Sequence, residues 1–410
     1  MVTTSEKTSE SSNQHRPFLA ILALAVFFVG ASEFMLSAML GPLAEAFRTS
    51  PARASWLISG YAFTYALAAP ILGYLSDRID RVRFLLFALL AFAIDGIGIA
   101  FSPTIEIAMV LRVFGGLASA VIIPTAFALV SEIVPRERQA GAMGRVMLGM
   151  TFGIALGPAL AGVLTEWVGW RLPFLTSASG CVLAFIIGSR TTPGNYSPSF
   201  ARTAVHFHWM KKWNVMRPLI AKGAWNGTGV AAFLLSGEML KQRYNLNTAE
   251  IGVTVTAFGF GLGIGNLSAG WIRRMCGREE ISLIAITALL ALSIAAFTTI
   301  ALPFIGAVTC LVLWGFALGA GAPSSTTILA ERSGHSKGMV LAFAETLNNV
   351  TIFAVLPAAI RSIDRGDNIS LILVLGTGLF VGIILTLIDG FLSRPVSAEQ
   401  SKPLDLSRTN

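Results

Sequence analysis

The sequence has 410 residues, of which 54% are hydrophobic and 13% are charged, against about 25% charged in soluble domains. A mean hydropathy of +0.71 excludes a soluble fold, because only a lipid bilayer solvates so much apolar surface. The net charge of +8 does not indicate a nucleic-acid-binding protein, since the Lys and Arg residues are scattered between apolar runs and form no stripe. The three cysteines have neither zinc nor disulfide spacing, so no metal site and no cofactor are expected.

Twelve apolar runs are each long enough to cross a bilayer as a helix, which takes about 20 residues. A polar tail over 1–16 precedes them and a second tail over 393–410 follows; the first is rich in Ser and Thr and is predicted to be disordered. The first apolar run is too long for a signal-peptide core and is interpreted as a span. The predicted spans 1 to 12 cover 17–42, 54–75, 82–103, 104–132, 141–166, 170–190, 216–240, 250–272, 280–301, 303–330, 338–360 and 369–392.

Lys and Arg residues in the loops indicate the orientation of the spans, because they accumulate on the cytoplasmic side of a membrane. Roughly three times as many lie on the side of the two tails as on the other side. The sequence therefore predicts a multi-pass membrane protein with both termini in the cytoplasm. The polar stretch 191–215 is predicted to be a cytoplasmic linker between an N-terminal six-helix half over 17–190 and a C-terminal half over 216–392.

Three motifs lie at particular spans. The loop after span 2 reads Gly73-Tyr-Leu-Ser-Asp77-Arg78-Ile-Asp80-Arg81, span 4 carries Arg112-x-x-x-Gly116, and span 5 carries Gly149, Gly153 and Gly157 followed by Pro158. In their order and positions these motifs resemble those of major facilitator superfamily transporters, in the twelve-helix drug:proton antiporter group that includes bacterial drug, sugar and purine efflux permeases. The resemblance implies an all-α membrane protein with the major facilitator fold, in which twelve transmembrane helices form two pseudo-symmetric six-helix halves.

The resemblance also implies a conformational latch, made of Gly73, Asp77, Arg78, Arg81 and Glu132. Asp77 is expected to cap the positively polarised N-terminus of span 11, while Arg81 pairs with Glu132 at the end of span 4. Such a latch would favour the outward-open state. The alternative is a plain cluster of charges that keeps this loop in the cytoplasm. Asp80 stands where the family has glycine.

The glycines of span 5 recur at every fourth residue and so form a groove that another helix backbone can approach. Through the resemblance, Gly149, Gly153, Gly157 and Pro158 correspond to the antiporter motif. We expect this groove to receive span 8, which is also rich in glycine, at the boundary between the halves. The alternative is ordinary helix packing without a role in export.

Three charged residues lie deep inside the spans of the N-terminal half, away from the ends of those spans, namely Glu33, Asp95 and Arg112. Each lies roughly eight residues from the outer end of its span, about 12 Å deep at 1.5 Å per residue. A charge at such depth costs about 2.5 to 3.5 kcal/mol, which makes these residues candidates for proton or substrate coupling. The resemblance implies that spans 1, 4, 7 and 10 line the cavity, which favours Glu33 and Arg112 as a facing pair. Asp95 has the alternative of a hydrogen bond within helix packing.

In the C-terminal half, Glu345 shares a helix face with Asn348 and Asn349. The predicted substrate cavity therefore includes Trp225, Asn226, Trp314, Glu345 and Asn349. The alternative for the polar residues is a buried cluster near the latch, and for the two tryptophans it is an interfacial or packing role.

Together these features predict a secondary active transporter, not an enzyme, that exports a small organic molecule such as a drug by proton antiport. Its expected partners are the substrate, protons and the bilayer, and it is expected to be a monomer powered by the proton gradient. One proton crossing 100 mV releases about 2.3 kcal/mol, which suffices for useful efflux. The alternatives are an exporter of a sugar, nucleoside or other metabolite, or a symporter or uniporter on the same scaffold. A membrane sensor or enzyme is disfavoured, because the loops are short and contain no nucleophile–base or metal constellation.

Overall fold

The computed structural model describes residues 16–76, 78–191 and 207–392, and the regular elements in this part of the chain are all helices. We number the helices to match the predicted spans. They are α1a (Arg16–Phe34), α1b (Leu36–Ala46), α2a (Pro51–Ala54), α2b (Trp56–Ser76), α3 (Arg81–Ala100), α4 (Ile105–Ile133), α5 (Arg136–Trp167), α6 (Arg171–Thr191), α7 (Trp213–Tyr244), α8 (Thr248–Cys276), α9 (Glu279–Thr299), α10 (Phe304–Ser333), α11 (Lys337–Asp364) and α12 (Asn368–Leu392). Short 3-10 turns cover Phe207–Lys211 and Gly334–Ser336.

Eleven of the predicted spans are helices that are long and apolar enough to cross a membrane. The exception is α7, which has 32 residues but carries charged groups along its length, and it packs among the others against α11 and α12. At 1.5 Å per residue it is about 48 Å long, more than the hydrocarbon thickness of a bilayer. Spans 1 and 2 are each broken once, at Met35 and at Ser55.

The predicted boundaries shift most around the linker between the halves. Helix α6 continues to Thr191, and α7 begins at Trp213, so the described parts of the predicted linker 191–215 are largely helical or 3-10. The middle of the linker and most of both tails lie outside the described residues. Helix α7 also extends past its apolar segment to Tyr244, because Lys241 and Arg243 in its last turn complement the negative end of the helix dipole.

The glycine groove of α5 faces α1a and not α8, so the predicted partner of this groove is wrong. A Cβ atom added at Gly149 or Gly153 would overlap backbone atoms of α1a, and one at Gly157 would lie 2.7 Å from Ala31 Cα. The contact with α8 exists, but it uses the other faces of α5. There, a Cβ at Gly162 would lie 2.5 Å from the Thr248 carbonyl oxygen. Gly162 follows Gly157 by five residues and therefore points about 140° away around the helix.

The two ends of the bundle differ in how closely the halves approach. We call the end where α1a begins and α12 ends the termini end, and the other the far end. At the far end the halves are joined directly: Lys241 Nζ lies 3.4 Å from Glu45 Oε1, the Thr248 amide donates to Glu166 Oε2 at 3.1 Å, and the Ala52 amide donates to Asp364 Oδ2 at 3.3 Å. At the termini end, a Cβ added at Gly73 or Gly338 would have nothing within 4 Å. The bundle is therefore closed at the far end and open at the termini end.

Candidate functional site

A cavity of about 1180 Å³ lies between the halves and is lined mainly by apolar side chains. Its mouth is at the termini end, where Gly73 and Gly338 belong to its lining. At its inner limit, Phe34 lies where α1a ends, and its ring centroid is 5.8 Å from that of Phe233 in the other half. This aromatic contact, with the polar contacts beyond it, separates the cavity from the far end.

Four charged residues line the cavity: Glu33, Arg81, Lys222 and Glu345. Glu33, in the last turn of α1a, is the acid without an ion-pair partner. Over the residues that the structure describes, no cationic nitrogen lies within 4 Å of its carboxylate. An unpaired carboxylate at this depth is costly, and it marks Glu33 as the group that a proton or a cationic ligand would neutralise.

Arg112 faces Asp95 and not Glu33, so the favoured pairing from the sequence is corrected. Arg112 Nη1 lies 3.5 Å from Asp95 Oδ2, and the two side chains are only 2% and 1% exposed. Arg112 also donates to the Ser32 carbonyl at 3.0 Å, next to Glu33, and its guanidinium lies 4.5 Å from the Tyr61 ring centroid. The three charged residues therefore share one layer, as their depths predict, although only Glu33 lines the cavity.

Glycine makes this arrangement possible. A Cβ atom added at Gly115, which follows Arg112 by about one turn of α4, would overlap the Asp95 carboxylate. The missing side chain lets α3 bring its acid against α4, within reach of the arginine. Pairing in this way lowers the cost of burying both charges, because a lone buried charge is far more expensive than a buried pair.

Lys222 forms the second ion pair of the site, and the sequence analysis missed it. Its ammonium nitrogen lies 3.3 Å from Glu345 Oε1 and donates to Thr326 Oγ1 at 3.3 Å. The orientation inferred from Lys and Arg places Lys222 among the cytoplasmic charges, although this residue lies about six residues inside predicted span 7. Its position within an apolar run was the signal for an intramembrane role. Arg217, on a different face of α7, is also buried, and its Nη2 lies 3.4 Å from Asp389 Oδ1.

Of the cavity residues predicted in the C-terminal half, the polar ones line the cavity and the tryptophans do not. Asn226 donates to Asn348 Oδ1 at 2.8 Å, and Asn349 donates to the backbone carbonyl of Glu345 at 3.0 Å. Whether Asn226, Glu345 and Asn349 contact a substrate stays a prediction.

Both tryptophans are fully buried outside the cavity, which corrects their predicted place. Trp225 precedes Asn226 by one residue and so points about 100° away from it, against Gly321 and Gly382. Trp314 packs edge-on among the rings of Phe233, Phe258 and Phe297.

At the mouth of the cavity, Arg81 forms an ion pair with Glu132, as the predicted latch requires. This pair joins α3 to α4 within one half, so it cannot by itself hold the halves together. Asp77 lies outside the described residues, and the Arg78 guanidinium lies 4.4 Å from the ring centroid of Tyr74 in its own segment. The role of these residues as a latch stays a prediction.

Asp80, at the position where the family has glycine, acts as the N-cap of α3. Its Oδ1 accepts from the backbone amides of Val82 at 3.0 Å and Arg83 at 3.2 Å. The carboxylate satisfies two amides that the first turn of a helix leaves without partners. The aspartate therefore starts α3 directly after the loop.

A bundle of spanning helices in two halves, with one deep cavity open at a single end, is the architecture of a membrane transporter. The family model of the Major Facilitator Superfamily matches residues 22–355, and the chain belongs to this superfamily. The crystal structure of a D-xylose-proton symporter superposes with a TM-score of 0.75, covering 91% of this chain and 96% of that chain at 16% sequence identity. These findings confirm the predicted superfamily and its all-α fold.

Bacterial relatives align with different shares of the chain. YbcL of Bacillus subtilis, an uncharacterized MFS-type transporter, is 23% identical over 80% of this chain and 84% of its own length. YwoD of the same organism, also an uncharacterized MFS-type transporter, is 32% identical over 43% of this chain and 39% of its own length. The lincomycin resistance protein LmrB of Listeria monocytogenes is 31% identical over 42% of this chain and 37% of its own length. The chain thus aligns with less than half the length of YwoD and LmrB.

Proposed function

We propose that this protein is a proton-coupled exporter, which exchanges a small organic molecule such as a drug for protons. The observation that carries the proposal is the unpaired Glu33 carboxylate in an apolar cavity that is open at one end of the bundle and closed at the other. Similarity to a lincomycin resistance protein over part of the chain supports export of an antibiotic-like molecule. The Lys and Arg distribution supports a cytoplasmic termini end in the inner membrane, so that the cavity opens to the cytoplasm.

Antiport follows if Glu33 cannot hold a proton and a substrate at the same time. In the state described above, a substrate enters from the cytoplasm and displaces the proton from Glu33. The halves then rock about the cavity, the far end opens, and Glu33 takes a proton from outside as the substrate leaves. With a neutral substrate, each proton that returns across 100 mV supplies about 2.3 kcal/mol, whereas one-for-one exchange with a monovalent cation moves no net charge and is driven by the pH gradient alone.

The remaining charges of the N-terminal half have supporting roles in this proposal. Arg112 is a positioning residue, because its bond to the Ser32 carbonyl fixes the last turn of α1a beside Glu33, and Asp95 holds Arg112 in turn. The segment from Gly73 to Arg81 latches the termini end when the cavity is open to the outside, with Glu132 anchoring Arg81. A cytoplasmic linker around 191–215 lets the two halves, 17–190 and 216–392, move against each other, and the protein works as a monomer without a cofactor.

Inside-out membrane vesicles test the proposal. Vesicles that contain the protein are energised, and a panel of lipophilic drugs, sugars and nucleosides is added while a dye reports the internal pH. We expect at least one compound to trigger proton release from the vesicle lumen as it accumulates there. Proton uptake into the lumen together with the compound would show symport, and accumulation without any pH change would show uniport; either result overturns the proposal.

A second candidate is export of a neutral sugar or nucleoside, favoured by the amide side chains in the cavity wall. Asn226, Asn266, Asn348 and Asn349 line the cavity and offer donors and acceptors for hydroxyl groups. The same panel separates the two candidates, because only this one predicts that sugars or nucleosides alone trigger proton release.

A further inference from the structure

The charges that face the inner cavity do not balance. Glu33, Lys222 and Glu345 lie in its wall, and the fourth lining charge, Arg81, pairs with Glu132 at the mouth. Lys222 and Glu345 neutralise each other at 3.3 Å, which leaves the single negative charge of Glu33. The apolar lining gives the cavity wall a lower effective dielectric constant than bulk water, so this charge acts on a ligand more strongly than a charge on the protein surface would.

Lys222 is built into the wall and is not presented to a ligand. Its side chain is 5% exposed, and both Glu345 and Thr326 accept hydrogen bonds from its ammonium group. Glu345, by contrast, is 46% exposed and reaches into the cavity. The lysine therefore acts on the cavity through Glu345, as a fixed counter-charge behind that carboxylate.

We propose that Lys222 sets the charge of the transported molecule, so that the cavity selects an organic cation with a single positive charge. By cancelling Glu345, it leaves one carboxylate, that of Glu33, for a ligand cation. Without Lys222 the cavity would present two carboxylates on opposite walls and would favour a molecule with two positive charges. This inference rests on the proposed export function and adds to it the substrate class and the residue that determines it.

The wall suits such a cation in its other properties. Phe34, Tyr65, Phe127 and Phe258 line the cavity, and aromatic rings attract organic cations through their negatively polarised faces. Glu33 and Glu345 come from opposite halves, and both line the same cavity. A second positive charge in the ligand could therefore pair with Glu345 only if the ion pair between Lys222 and Glu345 were broken.

Equilibrium binding of two matched probes to the full chain in nanodiscs tests this inference. Hexyltrimethylammonium and hexamethonium share one six-carbon chain and differ by one positive charge. We expect Lys222→Met to shift the ratio of their dissociation constants toward hexamethonium by about tenfold or more, since a unit charge close to the ligand at an effective dielectric constant of about 20 is worth at least that much. Lys222→Arg, which keeps the charge, should leave the ratio unchanged. The double variant Lys222→Met with Glu345→Gln restores the net charge and should return the ratio to the wild-type value.

A ratio that stays within twofold of wild type in a folded Lys222→Met variant overturns the inference. Failure of the wild type to bind hexyltrimethylammonium overturns it too, while the vesicle assay can still show antiport of another compound. If Lys222→Met does not fold, Glu345→Gln replaces it: this change leaves the lysine uncancelled, so affinity for hexyltrimethylammonium should fall about tenfold, and an unchanged affinity contradicts the proposal. Proton release in vesicles reports separately on the export function, so the two proposals can fail independently.

Discussion

The two halves place their charged pairs differently with respect to the cavity. In the N-terminal half, Asp95 and Arg112 are almost fully buried behind the wall, Arg81 lies at the mouth in its pair with Glu132, and Glu33 is the charged residue that faces the inner cavity among those that the structure describes. In the C-terminal half the pair itself is in the wall, with Lys222 buried and Glu345 half exposed. The first half therefore offers a ligand one unpaired charge, whereas the second offers a charge that is already cancelled.

At the termini end, both halves have an ion pair between equivalent helices, but the positions of the acid and the base are exchanged. In the N-terminal half, Arg81 at the start of α3 pairs with Glu132 near the end of α4. In the C-terminal half, Glu280 at the start of α9 lies 2.9 Å from Arg332 near the end of α10. Arg332 also lies 2.7 Å from Asp389 of α12, so this joint holds three helices. The repeat therefore conserves a link between equivalent helices although the residue at each end has changed sign.

Glu33→Gln gives the largest expected effect and tests whether the unpaired acid couples transport. Glutamine keeps the shape of the side chain but cannot exchange a proton, so substrate-induced proton release in vesicles should be abolished. The amount of folded protein in the membrane should be unchanged, because Glu33 forms no ion pair within the part of the chain that the structure describes. Glu345→Gln is the comparison variant: proton release should persist there, although about tenfold more of a cationic substrate should be needed to trigger it. Normal coupling in Glu33→Gln would remove the role assigned to this residue.

Arg112→Ala should have the next largest effect, on stability. The change leaves Asp95 as an unpaired buried charge, which costs about 3–5 kcal/mol. Lys222→Met breaks the other pair, but water in the cavity can solvate the half-exposed Glu345, so the cost there should stay below about 2 kcal/mol. Unfolding by SDS in mixed micelles measures both variants. Equal losses would show that the two pairs are equivalent and would break the comparison between the halves.

Features that depend on residues close together in the sequence were predicted correctly, whereas contacts between distant helices were not. Helix number and superfamily come from apolar runs and from motifs at particular spans, and both are confirmed. Which helices contact each other is less predictable. The groove of Gly149 and Gly153 is visible in the sequence, but packing of the whole bundle determines which helix fills it. For the same reason Arg112 was assigned to Glu33, since nothing local shows that Gly115 admits Asp95 to the arginine.

The site was predictable where a charge inside a span stands out against its neighbours. Glu33 and Glu345 were found in this way, and both line the cavity. Lys222 carried the same signal but was assigned to the loop side of a helix whose low apolar content blurs its boundary. The prediction that Trp314 lines the cavity was wrong, because a large aromatic side chain can pack between helices as well as line a cavity. On a helix, a shift of one residue along the sequence is enough to turn a side chain from one environment to the other.

Gly153→Ala should destabilise the N-terminal half by about 1–3 kcal/mol, the usual cost of overpacking. The new methyl group would overlap the Phe27 carbonyl oxygen and push α5 away from α1a, which carries Glu33. Gly73→Ala is the matched control at the open mouth, where an added Cβ has nothing within 4 Å, so its stability should be unchanged. SDS unfolding again gives the measurement. A larger loss at Gly73 than at Gly153 would contradict the assignment of the open and closed contacts.

Trp314→Phe should have the smallest effect and sharpens the distinction between core and cavity in the C-terminal half. Trp314 is fully buried among Phe233, Phe258 and Phe297, so the smaller ring leaves a void that should cost about 1–2 kcal/mol of stability. Substrate affinity should stay within about twofold of wild type, because the indole does not reach the cavity. Phe258→Leu is the comparison variant, since Phe258 lines the cavity and packs on the same cluster. A packing residue can affect the ligand only through the side chains that touch it, such as Phe258. A tenfold loss of affinity in Trp314→Phe, without a matching loss in Phe258→Leu, would therefore show that Trp314 contacts the substrate directly.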